Sequence, residues 1–179
     1  MPEITVTARM SRGEARRLLS SVPAIVAGRL PDPTGAVREM QLAVGMAILS
    51  NIKRAFVVKA AGGTDEAGDS WLPLSQNTID GRRVGNGVGI PQILRDTGIL
   101  LNSLSPGAPG NLLDALPGMV SIGTNVKYAA YQHHGTDTIP ARRLWPEPHR
   151  WPSAWLEDIN ETVRDGVAKL IAGLLGGAR

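Results

Sequence analysis

The residues best equipped for metal binding or proton transfer are the histidines His133, His134 and His149. His133 and His134 are adjacent, so on a helix or a strand they point in different directions, whereas metal-binding pairs favour spacings such as i, i+4. His149 lies in a proline-rich stretch, and the pair reads as capping or contact groups. Gly85-Asn86-Gly87-Val88-Gly89 has the glycine density of a phosphate loop. It follows no convincing strand, has no downstream Gly-Lys-Ser/Thr and runs into Pro91, so it reads as a surface loop. Asp65, Glu66 and Asp69 share one polar stretch, which reads as a solvated acidic loop in preference to a cation site. Asp96 and Asp114 are the central acids that a Mg²⁺ nuclease would need as rigid carboxylates, and no motif joins them. There is no Gly-x-Ser-x-Gly elbow and no cysteine. The expectation is a protein that is not an enzyme, with no catalytic, cofactor-binding or metal-ligating residues and no cofactor.

The bulk composition sets limits on everything else. A chain of 179 residues suffices for one domain with a real core and is short for two. Apolar residues at 42% and charged residues at 20% are those of a globular protein, and aromatics at 4% leave the core to Leu, Ile, Val, Ala and Met. Without cysteine there are no disulfides, which fits a reducing compartment. No stretch approaches the roughly 18 consecutive apolar residues of a membrane span. Met1-Pro2-Glu3-Ile4-Thr5-Val6 is not a basic segment followed by an apolar run, so use without export is expected. The net charge of +3 is carried by 15 arginines against 4 lysines. Arginine suits fixed, forked contacts with carboxylates and phosphates, and here ordinary surface charge and subunit salt bridges are favoured over a dedicated DNA surface.

Periodicity supplies the elements. Ile4 to Thr7 alternates as a short strand, and Arg9 to Ser21 can form a short basic helix; together they make up an N-terminal unit over 1–33. From an N-cap at Thr34, Val37, Met40, Val44, Ile48, Ile52 and Phe56 form one apolar stripe of about five turns. Gly45 weakens this helix slightly and permits close packing. Residues 60–70 read as an exposed, mobile loop, before Trp71-Leu72-Pro73-Leu74-Ser75 returns the chain to the body. Asn77 to Gly89 is polar and Gly-rich. Asp96 or Thr97 can cap a short helix carrying Leu100, Leu101 and Leu104 inward. Residues 105–118 read as a second long loop or hairpin connection, Met119 to Gly123 as a strand, and Asn125 to His133 as a short helix with Tyr128 and Tyr131. Thr138 to Arg142 is extended, and Pro140 favours an edge position. A C-terminal helix over 152–175 buries Trp155, Ile159, Val163, Val167, Leu170 and Leu174 and stops at Gly176-Gly177. The fold class expected is α+β: long helices packed on a small, mainly antiparallel β-sheet, in a single domain with long loops.

Five segments, in this order, resemble the tailed-phage virion morphogenesis or tail completion family. They are Ile4-Thr5-Val6 before a long helix ending near Phe56; Trp71-Leu72-Pro73-Leu74-Ser75 with Thr78; Ile93-Leu94-Arg95-Asp96-Thr97-Gly98 followed by Leu100 and Ser103-Leu104; Val120-Ser121-Ile122-Gly123-Thr124-Asn125 with Tyr128-Ala129, a histidine and Gly135; and Ile139-Pro140-Ala141-Arg142. The resemblance spans about Ile4 to Leu144. The family continues Pro-Ala-Arg with Pro-Phe-Leu; here Arg143-Leu144-Trp145 follows, and Trp145 is the candidate for the missing aromatic.

The resemblance implies a virion structural protein, assembled in the host cytoplasm, that forms a ring of identical chains, commonly a hexamer. The ring would sit at the head–tail junction, as neck ring or tail terminator, and complete the tail for head–tail joining. Its partners would be itself, the tail tube protein and neck or connector proteins, with sequence-blind contact to transiting DNA and no membrane. Asp96, Gly98, Gly123 and Tyr128 are then structural motif residues. Trp71, Pro140, Ala141, Arg142 and Trp145 are interface candidates, since tryptophan in loops anchors contacts; the other reading of Trp71, Trp145 and Trp151 is a roof over a small core. Two rivals are a Mg-dependent phage nuclease using Asp96 or Asp114, and a small DNA-binding regulatory protein.

Overall fold

A computed structural model describes residues 4–9, 33–86, 91–116 and 119–176. Apart from Arg9, which ends a strand, the expected basic helix from Arg9 to Ser21 and most of the Gly85–Gly89 stretch lie outside the described residues.

The order is strand β1 (Ile4–Arg9), helix α1 (Pro33–Ala60), helix α2 (Gln76–Asn86), the one-turn helix α3 (Ile99–Asn102), strands β2 (Asn111–Leu116) and β3 (Met119–Thr124), helix α4 (Ala129–His134), a 3₁₀ turn (Pro148–Arg150) and helix α5 (Ser153–Gly176). The three strands form an antiparallel sheet in the order β1-β3-β2. Ile122 of β3 sits opposite Val6 on one side and Leu113 on the other. The architecture is α+β, with long helices packed on a small antiparallel sheet, as the sequence leads one to expect.

Helix α1 is the centrepiece. It packs on β2 and β3 with one side and on α5 with another, so apolar residues are needed around much of its circumference. Val44, Ile48, Leu49, Ile52 and Phe56 are buried as the stripe predicts, while Val37 at the start of the stripe is 37% exposed. Gly45 sets the distance to the sheet: a Cβ there would stand 2.4 Å from Leu113 Cδ1 and 2.9 Å from Val120 Cγ2. By length and composition α1 is apolar enough to cross a membrane, yet half of its most apolar window is buried inside the protein, as befits a central core helix. Trp71, Ile93, Leu100, Leu104, Leu144, Trp145 and Trp155 complete the core around it.

Several expectations are corrected. Helix α1 begins at Pro33, so Thr34 lies within its first turn; proline's fixed φ suits that opening position. The 105–118 stretch is not loop throughout: Asn111–Leu116 is strand β2, paired along its whole length with β3. The polar stretch after Asn77 contains α2, started by Ser75, whose hydroxyl accepts from the Thr78 amide at 3.4 Å, and supported by Gln76 donating to Asp80 at 2.8 Å. The N-cap position of α3 is Gly98, at φ 77° and without a side-chain cap bond, and the Thr97 hydroxyl accepts the Ile99 amide at 3.4 Å. Ile139 to Arg142 is not an edge strand, because Thr136 donates its amide to Ile139 O at 2.8 Å and curls the chain into a turn. Among the described residues the sheet's edges are β1 and β2.

Candidate functional site

Among the described residues a dense polar arrangement lies where the C-terminal end of α1 meets Asp65, Trp71 and residues 140–145. Lys59 falls on the buried face of α1, three residues after Phe56, and its side chain is 0% exposed. An ammonium there must find partners inside the protein. It has three: Asp65 Oδ2 at 2.9 Å, the carbonyl of Arg143 at 3.0 Å and the face of Trp71, 5.2 Å from the ring centroid. An amine so committed is a structural cation rather than a nucleophile.

Asp65 sits at the head of the acidic stretch and is buried, so it departs from the expectation of a solvated acid, while most of residues 61–70 are exposed as expected. Asp65 Oδ1 accepts the amides of Ala67 at 3.0 Å and Asp69 at 2.9 Å, and Thr64 bridges Ser70. Each acid has its own cross-chain partner. Asp69 pairs with Arg150 at 2.9 Å, and Glu66 accepts the Trp155 indole N–H at 3.0 Å. The loop therefore ties the end of α1 to the start of α5.

Trp71 follows directly. It stands edge-on to Phe56 with ring centroids 4.9 Å apart, and its indole N–H donates to Arg143 O at 2.9 Å. One carbonyl thus receives both Lys59 and Trp71. It belongs to a strap, residues 140–145, that is fastened at Arg142, Arg143 and Leu144. The Arg142 amide donates to Gln132 O at 2.7 Å, the Arg142 guanidinium reaches Leu72 O at 3.3 Å and Pro73 O at 3.4 Å, and the Leu144 amide donates to His133 Nδ1 at 3.1 Å. Gly135 lets the strap approach: at φ 78° and ψ 175°, it would place a Cβ 2.8 Å from the Ala141 nitrogen.

His133 is neutral in this setting, since its Nδ1 is the acceptor and its proton sits on Nε2. Burial, followed by positive charge at His134, Arg143 and Lys59, pulls its pKa from 6.5 to about 4. Its ring lies 5.1 Å from that of Trp145 and 4.8 Å from that of His134.

A second junction fixes the remaining motif segments. Ser103 and Thr124, both buried, share a hydroxyl hydrogen bond of 2.7 Å, and Asn111 donates to Ser103 O at 3.0 Å. Ile93 donates to Ala60 O at 2.9 Å. Gly123 is buried in β3, opposite Thr5 and Leu112, while Tyr128 caps α4 and is 42% exposed. Asp96 is exposed.

No protein-family model, curated protein or solved structure matches this chain.

The interface candidates divide. Trp71, Trp145 and Arg142 are buried in this chain, at 5%, 5% and 8% exposure, and the expectation that they present themselves to a partner is corrected: they roof the core. Trp151, half-buried beside Trp155, donates to Pro146 O at 3.2 Å and extends the same roof. Pro140 and Ala141 are exposed, as is Leu72 on the neighbouring segment held by Arg142. Asp114, one of the two nuclease candidates, is exposed on β2 with Arg38 3.9 Å away. Among the described residues no group of three or more His, Cys, Asp or Glu is placed to hold a metal ion. Among the described residues Arg54 pairs with Asp158 at 2.8 Å, Arg143 with Glu147 at 3.3 Å and Arg150 with Asp69.

Lys59 and the Arg143 carbonyl were not singled out from the sequence, and His133 and Asp65 were read there as a capping or contact group and as part of a solvated acidic loop. Lys59 had a signal: a lysine on an apolar helical stripe, followed by an acid cluster six residues on, marks a buried ion pair. The carbonyl and the histidine tautomer had none, since both depend on where the strap lands.

Proposed function

We propose that this chain is a non-enzymatic structural protein of a tailed-phage virion. It forms a ring, commonly sixfold in the family it resembles, at the head–tail junction or the head-proximal end of the tail. There it completes the tail for joining to the head, with tail tube and neck or connector proteins as partners and the virion, assembled in the host cytoplasm, as its location.

The observation that carries this reading is the ordered set of five segments between Ile4 and Leu144. Their packing supports it. Trp71, Ile93, Ser103, Thr124 and Arg142 come from four of those segments, and each is bonded across the fold to another segment or to α1. A set of residues that interlocks in this way maintains a shape, and a shape is what an assembly protein contributes. Contact with neighbours falls to the exposed Pro140 and Ala141 and to exposed apolar side chains such as Leu72, Tyr128 and Tyr131. Contact with DNA in a channel is weak and sequence-blind, as transit requires.

The test is genetic. Infection by phage lacking this protein should yield filled heads and separate tails, joined on adding the purified chain. Normal virions without it would refute the proposal, and magnesium-dependent cleavage of DNA by the purified chain, abolished by Asp96→Asn or Asp114→Asn, would replace it with the nuclease reading.

A further inference from the structure

We propose that His133 is an acid-sensitive latch on the 140–145 strap: the neutral imidazole holds the strap closed, and protonation releases it and uncovers Trp145 and Trp71. The inference is independent of the virion reading.

The latch rests on one hydrogen bond that only a neutral ring can make. His133 Nδ1 accepts the Leu144 amide at 3.1 Å, and an imidazolium has no lone pair to offer. A proton added at Nδ1 faces the N–H it had bonded, so the ring or the strap must move. The surroundings sharpen the response. Around the ring stand His134 of α4, Arg143 of the strap and Lys59 of α1, all cations when protonated. Asp65 and Glu147 are nearby only as partners of Lys59 and Arg143. The imidazolium would therefore be half-buried among like charges, beside the Trp145 ring.

The strap is also where release has the largest effect. Leu144 and Trp145 are 0% and 5% exposed, and the neighbouring Arg143 carbonyl is what Lys59 and Trp71 share. Lifting the strap leaves the Trp71 indole N–H and one Lys59 proton without their acceptor and presents two large apolar faces to a partner or to solvent.

The experiment follows tryptophan emission and binding of a hydrophobic dye by the full chain from pH 7 to about pH 2, with far-ultraviolet circular dichroism to monitor the helices. Wild type is expected to gain dye and shift its emission to the red with a midpoint near 4 while its helices persist. In His133→Asn the amide oxygen can accept from Leu144 but does not titrate, so the transition should move down by about one pH unit or more. His133→Phe, with no acceptor, should bind dye already at pH 7. A His133→Asn transition coinciding with that of wild type would overturn the proposal. So would simultaneous loss of helix and emission in both proteins, which would mark acid unfolding rather than release. Should His133→Phe fail to fold, the comparison with His133→Asn decides alone.

Discussion

Lys59 and Asp65 form an ion pair 2.9 Å long whose side chains are 0% and 1% exposed. The pair joins the last turn of the central helix to the loop that follows, and through the Arg143 carbonyl it joins both to the strap. Removing one partner leaves a buried charge without compensation, at a cost of about 3–5 kcal/mol. Lys59→Met and Asp65→Asn should each lower the unfolding free energy by about that amount in urea titrations. The double variant Lys59→Met/Asp65→Asn should lose less than the sum of the two, because neither charge is then stranded. Additive losses would mean that the two side chains act independently.

Trp71 separates packing from hydrogen bonding. Trp71→Phe keeps an aromatic ring against Phe56 and deletes the donor to Arg143 O, leaving Lys59 to satisfy that carbonyl. Its cost should be about 1–2 kcal/mol. Trp71→Ala also empties the ring's place in the core and should cost about 3–5 kcal/mol. Equal losses in the two variants, read from denaturant midpoints, would show that the hydrogen bond and not the ring dominates.

How much of this was legible in the sequence depends on the range of the interactions. The central helix announced itself through Val44, Ile48, Ile52 and Phe56, since a 3.6-residue stripe is a local signal. Strand β3 did so through alternation. Strand β2 did not: Asn111, Asp114 and Ala115 are poor strand formers, and the ladder with β3 makes the segment a strand. Asp65, Glu66 and Asp69 looked solvated because their partners, Lys59, Trp155 and Arg150, lie up to 89 residues away. Loop tryptophans carry the same sequence signal whether they meet a partner or roof their own core, and Trp71 and Trp145 proved to do the second. The His133 site was illegible for a similar reason, since its acceptor role exists only because Leu144 returns to it.

Gly135 tests the strap from the backbone side. Its φ of 78° and ψ of 175° are essentially reserved for glycine, and a Cβ would meet the Ala141 nitrogen at 2.8 Å. Gly135→Ala should destabilise by about 2–3 kcal/mol, against about 1 kcal/mol for Gly62→Ala; Gly62 also has positive φ but open space around it. Thermal melts of the two variants would provide the comparison, and equal shifts would remove the steric part of the argument.

Acid should weaken the fold through His133 in a defined window. Its folded pKa of about 4 is below the unfolded 6.5, so the unfolded chain binds the proton first. The stabilisation is complete above pH 6.5 and is lost progressively as pH falls towards 4. Because the ring is only half-buried, solvent screening reduces the effect to about 1–2 kcal/mol. Urea midpoints of wild type and His133→Asn should diverge between pH 6.5 and 4 and run parallel above it; parallel behaviour throughout would place the titration elsewhere.

The central claim, an assembly protein acting as a ring on the tail, is tested most directly by measuring mass in solution, alone and with purified tails. The account predicts that the chain binds stoichiometrically at one tail end and is recovered there as a closed ring of identical subunits, whether or not the free protein is monomeric. A chain that stays monomeric and never associates with tails at any concentration would contradict it.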